Sequence, residues 1–210
     1  MKRLLLVFAL VVMMLTLVPV SIAGAQTGEI DYIGIEWDHD PLTVYVRTPS
    51  SLQGSQDYID GVETALNDWC VELQNATGSD DFQFNSAASS RAADITVSIH
   101  PGAYKGVLGI TLPRDKDRDG YFDSVKINLK VGSDVGLEDF RNVMRHELGH
   151  ALGLGHTQVP GDLMYPYYNP NVNYEVLPSA LDIDALINLY MDDGFGGSNL
   201  DPASIPQIYP

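Results

Sequence analysis

Within eleven residues, "HELGHALGLGH" from His146 to His156 holds three imidazoles and one carboxylate. On a helix, His146 and His150 stand at i and i+4, so both side chains project from one face a turn apart. That spacing lets two imidazoles hold one Zn²⁺. Glu147 follows the first ligand and lies beside the metal without needing to bind it, where it can take a proton from zinc-bound water. Gly153 can end the helix in a left-handed conformation. The chain then turns and can return His156 as the third ligand. Packing alone is a poor purpose for three such histidines, since several polar nitrogens would be left to satisfy. The chemistry that fits is metal-assisted hydrolysis, with a fourth zinc position kept for water. No serine or cysteine nucleophile is evident.

A second group of acids lies in "DKDRDGYFD". Asp115, Asp117 and Asp119 precede Gly120, Asp123 follows, and Tyr121 offers a backbone carbonyl. This matches the first nine positions of a D-x-D-x-D-G calcium loop. The twelfth position of an EF-hand would be Glu, and here it is Lys126. The loop therefore reads as a strand–loop–strand Ca²⁺ site that borrows a carboxylate from elsewhere. Four aspartates in nine residues repel one another without a cation.

These groups need a scaffold, and the pattern of the chain supplies one of α+β class. "PLTVYVRT" alternates and is β-branched, a first strand. Ile59, Val62, Ala65, Leu66, Trp69, Cys70 and Leu73 follow helical spacing and predict a helix over 56–74. "ADITVSIH" is a second strand, "GVLGITLP" (106–113) a third and "FDSVKINLK" (122–130) a fourth. A helix from about Leu137 to Leu152 carries the first two histidines. "PSALDIDALINLYM" is a last helix, with Ser179 as N-cap and Asp182 three residues on. There is no internal repeat and no second domain.

Lys2 and Arg3 precede an apolar run from Leu4 to Leu15, and Ala23-Gly24-Ala25 gives a small-residue cleavage pattern. Residues 1–25 are laid out as a secretory signal peptide, cleaved rather than kept as an anchor. Its removal moves the net charge from −16 to −18, because only Lys2 and Arg3 carry charge within it. Such a surface repels nucleic acid and anionic lipid and attracts cations. We expect no nucleic-acid partner, no stable membrane association after cleavage, and a monomer. The single cysteine, Cys70, excludes an intrachain disulfide framework and is expected to be a small core residue. The catalytic domain is expected over 26–191, and the Gly-, Asp- and Pro-rich tail over 192–210 to be loosely ordered.

The zinc motif, with Met164 in "GDLMYPYY" eight residues after His156, resembles the metzincin metalloproteases. Thr157, the "LMYP" turn and the elements "ALNDW", "ADITVSI", "GVLGITLP" and "LDIDALINLY" are most similar to the matrixin branch over residues 40–190. The resemblance implies a zincin-like catalytic domain: a twisted mixed five-stranded sheet, three helices and a small C-terminal subdomain after the glycine turn. It implies that Met164 lies under the metal without binding it. It also implies that "GVLGITLP", with Leu108, Gly109 and Ile110, is a cleft-edge strand to which a polypeptide substrate pairs antiparallel. Pro166, Tyr167 and Tyr168 would wall the pocket for the residue after the scissile bond, and Asn142 would lie near its floor.

The chain departs from the matrixin pattern in three places. Gln26 to Pro41 is too short for the usual pro-domain, and the cysteine-switch motif is absent. Of the residues that hold a structural zinc in animal matrixins only His100 remains, with Ile110 at a usual histidine place. One zinc is therefore expected, and His39 and His100 are expected to be surface or hydrogen-bonded histidines. The third departure is the aspartate loop itself. The resulting expectation is a secreted zinc endopeptidase. Two other readings stay open: an inactive zinc-containing binding module, against which Glu147 argues, and a zinc amidase on cell-wall peptides.

Overall fold

The structure, a computed structural model, describes residues 28–102, 107–132, 135–167, 169 and 174–190. The signal segment, Tyr168 and the tail from 191 lie outside the described residues. The order is β1 (Ile30–Tyr32), β2 (Leu42–Arg47), α1 (Ser55–Thr77), β3 (Phe84–Ser86), β4 (Ile95–Pro101), β5 (Gly109–Arg114), β6 (Ser124–Val131), α2 (Leu137–Ala151), β7 (Leu154–Thr157) and α3 (Ala180–Tyr190).

Five strands form one mixed sheet in the order β3-β2-β4-β6-β5. Its inner pairs are parallel, and only β5 runs antiparallel, against β6, in the register Gly109↔Leu129 through Arg114↔Ser124. β4 places Ile95, Val97 and Ile99 in the core, as its alternation predicts. β5 sits at the sheet edge, and its burial alternates: Gly109, Thr111 and Pro113 are half-buried while Ile110 and Leu112 are exposed.

The long helices α1 and α2 meet across Trp69, Phe140, Met144 and Leu148, all with 1% or less of their surface exposed. Full burial of side chains of this size contributes roughly 1.5–3 kcal/mol each. Trp69 takes the place in the core, while Cys70 beside it is half-buried, with its thiol pKa pushed up by burial. Ser179 caps α3 as predicted: its Oγ accepts from the Leu181 and Asp182 backbone N–H groups, and its own N–H donates to Asp182 Oδ2 at 2.7 Å.

Three strands escape the reading of the sequence. β3 is only three residues long, and β1 and β7 form a separate two-stranded antiparallel sheet. Segments this short carry too few alternations to be seen as strands.

Candidate active site

α2 carries Glu147, His146 and His150, and the neighbouring elements hold that helix by its loose end. The last carbonyls of a helix lack intrahelical partners. Here the Trp37 indole N–H donates to Ala151 O at 2.8 Å and the Tyr190 hydroxyl to Leu152 O at 2.9 Å. Gly153 then adopts φ +100°, a region that favours glycine, and redirects the chain into β7. β7 presents His156, and β1 pairs along it, matching Ile30 to Thr157 and Tyr32 to Leu154.

The three imidazoles converge. One ring nitrogen from each of His146, His150 and His156 lies within 4.8 Å of the others. The ring centroids are 4.7 Å apart for His146–His150 and for His150–His156, and 5.4 Å for His146–His156. Two tautomers are fixed by backbone acceptors. His146 Nδ1 donates to Leu163 O at 2.7 Å, and His150 Nδ1 donates to Leu154 O at 2.8 Å. Both Nε2 atoms are thereby left as bare lone pairs, the form in which imidazole binds a metal. Burial lowers the His146 pKa to about 4 and the His150 pKa to about 3, so both are neutral near pH 7. The His156 pKa is also lowered by burial, with Asp31 opposing. Neutral nitrogen donors, converging and oriented by second partners, fit a zinc ion.

Met164 is fully buried, packed against α2 at Gly149. A Cβ on Gly149 would collide with its Sδ and Cε, so the glycine is what lets the sulfur pass under the helix. The turn is tied to the strand that carries His156, since the Thr157 N–H donates to Met164 O at 3.0 Å.

Glu147 is 5% exposed. Burial raises its pKa to about 7, and a hydrogen bond from Thr111 pulls the other way. The carboxyl lies against β5. Thr111 Oγ1 is 2.6 Å from Glu147 Oε2 and 3.0 Å from Glu147 O. β5 thus borders the Glu147 carboxyl directly, and Leu108, Gly109 and Ile110 lie on that strand or immediately before it.

Asn142 is engaged rather than open. Its Oδ1 accepts from Arg145 Nη1 (2.9 Å) and from the Val176 N–H (2.8 Å), while its Nδ2 donates to Tyr174 O (2.9 Å). It fastens the 174–176 segment to α2. Pro166 is half-buried and Tyr167 exposed in the stretch after Met164. Tyr168 lies outside the described residues.

In the aspartate loop, oxygens of Asp115, Asp117 and Asp123 come within 4.8 Å of one another. Asp119 does not join them; its Oδ1 accepts from the Tyr121 N–H at 3.0 Å. Positive φ at Arg118 (62°) and Gly120 (92°) curls the loop. Asp123 has its pKa lowered, first by the Lys116 backbone N–H and then by the Lys116 ammonium. His39 Nδ1 lies 2.7 Å from Asp38, and His100 Nε2 lies 3.4 Å from Asn128 Oδ1; neither belongs to a metal-holding group among the described residues.

Sequence reasoning missed Thr111, Arg145 and the carbonyls of Leu154 and Leu163. The carbonyls have no residue-type signature at all. Thr111 carried one weak signal, a hydroxyl on an otherwise apolar strand.

Comparison with known proteins agrees with this geometry. The matrixin family profile matches residues 36–191, more than half of the chain. Karilysin of Tannerella forsythia is 26% identical over 198 residues, 87% of this chain and 39% of karilysin. Metalloendoproteinase 1-MMP of Arabidopsis thaliana is 25% identical over 170 residues, 74% of this chain and 44% of the relative. Matrilysin of Rattus norvegicus is 38% identical over 74 residues, 35% of this chain and 25% of the relative. The chain spans less than half the length of these relatives. With the zinc motif, the mixed sheet and the buried Met-turn in place, the chain belongs to the matrixin family of zinc metalloendopeptidases.

Proposed function

We propose that this chain is a secreted endopeptidase that cleaves peptide bonds with Glu147 as proton carrier beside a zinc ion held by His146, His150 and His156. The observation that carries the reading is the burial of Glu147 against β5, on the same helix that brings His146 and His150 together with His156. Zinc, when bound, supplies an electrophile that acidifies water and polarises the scissile carbonyl. Glu147 takes the proton of the attacking water on a carboxylate oxygen and passes it to the departing amine nitrogen. A pKa near 7 suits a group that must both accept and release a proton, and the charge of a bound cation would pull it lower. The substrate backbone pairs antiparallel to the free edge of β5, so an extended polypeptide is presented to Glu147 along its length. Pro166 and Tyr167 wall the pocket beyond the scissile bond.

Export is part of the proposal and rests on the layout of residues 1–25; among the described residues no helix is long and apolar enough to cross a membrane. A Ca²⁺ ion at Asp115, Asp117 and Asp123 is proposed as a structural brace for the end of β5. It is supported by the convergence of three carboxylates on a curled loop. Asp119 and Tyr121 belong to the loop pattern, with Asp119 shaping the turn.

Glu147→Ala tests the proposal. Zinc content should stay at one per chain while hydrolysis of a peptide library falls about 10²–10⁴-fold. Near-normal cleavage in the variant sinks the assigned role. A wild-type chain that cleaves no member of an unbiased library, yet opens cell-wall peptides, favours the amidase; one that cleaves neither is a binding module.

A further inference from the structure

We propose that Thr111 is a positioning residue for Glu147, fixing the carboxyl in the one place from which it can serve as proton carrier. The inference rests on the role given to Glu147 above. It is drawn from a contact thirty-six residues apart in sequence.

β5 turns Gly109, Thr111 and Pro113 inward and leaves Ile110 and Leu112 outside. Two inward residues of β5 lie against Glu147 and divide a task. At Gly109, a Cβ would stand 2.5 Å from Glu147 Oε1 and 2.7 Å from its Cγ, so the carboxyl fills the volume that a side chain would occupy. At Thr111, the hydroxyl lies 2.6 Å from Oε2. One residue makes the space and the next inward one makes the bond.

The second contact of the same hydroxyl matters. Thr111 Oγ1 is also 3.0 Å from the Glu147 backbone oxygen. A hydroxyl has one proton and two lone pairs, so it cannot donate to both acceptors at once. While Glu147 is a carboxylate, the hydroxyl donates to Oε2, the shorter and charge-assisted bond. That bond occupies Oε2 and holds the carboxyl in place, leaving Oε1, beside Gly109, as the oxygen that carries the proton in the proposed role.

The anchor is stiff. Threonine is β-branched and restricted about its first side-chain torsion. Its strand is paired with β6 on one side, Thr111 opposite Ile127. The same strand offers its other edge to substrate in the proposed mode, so one rigid element would place both the peptide and the proton carrier. Holding a reacting group in position is where much rate acceleration comes from.

The test compares Thr111→Val, which keeps the shape and loses the hydroxyl, with Thr111→Ser, which keeps the hydroxyl. Zinc-loaded full chains are assayed on a peptide the wild type cleaves, with Glu147→Gln in parallel. Thr111→Val should lower kcat about tenfold with KM within about twofold, because the loss is one of positioning rather than of binding. Zinc content should not change. Thr111→Ser should recover most of kcat. Should Thr111→Val fold poorly, Thr111→Ala against Thr111→Ser gives the same comparison without the hydroxyl's isostere. Wild-type kcat in the hydroxyl-free variant overturns the proposal, as does a serine variant as slow as valine or alanine, or a loss confined to KM. If Glu147→Gln is inactive and Thr111→Val is normal, only the positioning role falls. If Glu147→Gln retains turnover, the reading of Glu147 falls with it.

Discussion

Arg145 and Asp68 join the two long helices through a guanidinium with no solvent exposure: Nε donates to Asp68 Oδ2 at 2.7 Å. Arg145 precedes the first histidine of the site, so this pair sets the helix that presents it. The same side chain reaches Asn142 Oδ1 at 2.9 Å and Glu175 Oε1 at 3.2 Å. A buried cation that loses its main partner keeps its desolvation cost. Asp68→Ala should therefore destabilise the fold by about 3 kcal/mol, read as a lower midpoint in urea with unchanged slope. A loss below about 0.5 kcal/mol would mean that Asn142 and Glu175 suffice.

Gly149→Ala sets two effects against each other. Alanine favours a helix interior by about 1 kcal/mol over glycine. Its methyl would, however, strike Met164 Sδ and stand 3.3 Å from Trp69 Cζ2, both in fully buried side chains. Overpacking costs about 1–3 kcal/mol. We expect net destabilisation and weaker zinc retention, because the displaced Met-turn also carries the Leu163 carbonyl that orients His146. Chelator competition checks this; unchanged zinc affinity with raised stability would refute it.

Asp182 is fully buried, and its Oδ1 has no hydrogen-bond partner. Burial first, and then the nearby charge of Asp162, raise its pKa well above the carboxylate range. A folded-state pKa above the unfolded value gives stability that is complete below about pH 4 and is lost as pH rises through the folded pKa. Asp182→Asn keeps an acceptor for the Ser179 N–H and stays neutral. Thermal unfolding from pH 5.5 to 8.5, zinc-saturated, should show wild type losing stability relative to the variant. A constant difference between the two across that range would contradict the shift.

Calcium should raise the melting temperature of the zinc-saturated chain. Binding to the native state alone adds roughly 2.7 kcal/mol at a hundredfold excess over Kd. Asp115→Asn with Asp117→Asn should abolish the response and leave zinc content unchanged, since these side chains contact the loop and not the histidines. A full calcium shift in the double variant would place the ion elsewhere.

The parts of the fold that read directly from the chain are those where one local period governs many residues. α1, α2 and β4 each repeat their pattern often enough to be seen, and Ser179 with Asp182 marks the start of α3 within four residues. β1, β3 and β7 could not be read in the same way. They exist because a distant strand offers its edge, as β7 does to β1, and three or four residues carry no period of their own.

The same division runs through the site. Sequence alone singled out the three histidines as the candidate metal-holding group, because i, i+4 spacing on a helix and a glycine that ends it are local geometry, and Glu147 is placed by being next to His146. Only the tertiary structure decided how those groups are held. Leu163 and Leu154 orient two histidines through backbone oxygens, which every residue type possesses. Thr111 reaches Glu147, and Asp68 reaches Arg145, across thirty-six and seventy-seven residues. Such contacts follow from the path of the chain through the sheet and helices, and no spacing within the sequence encodes them.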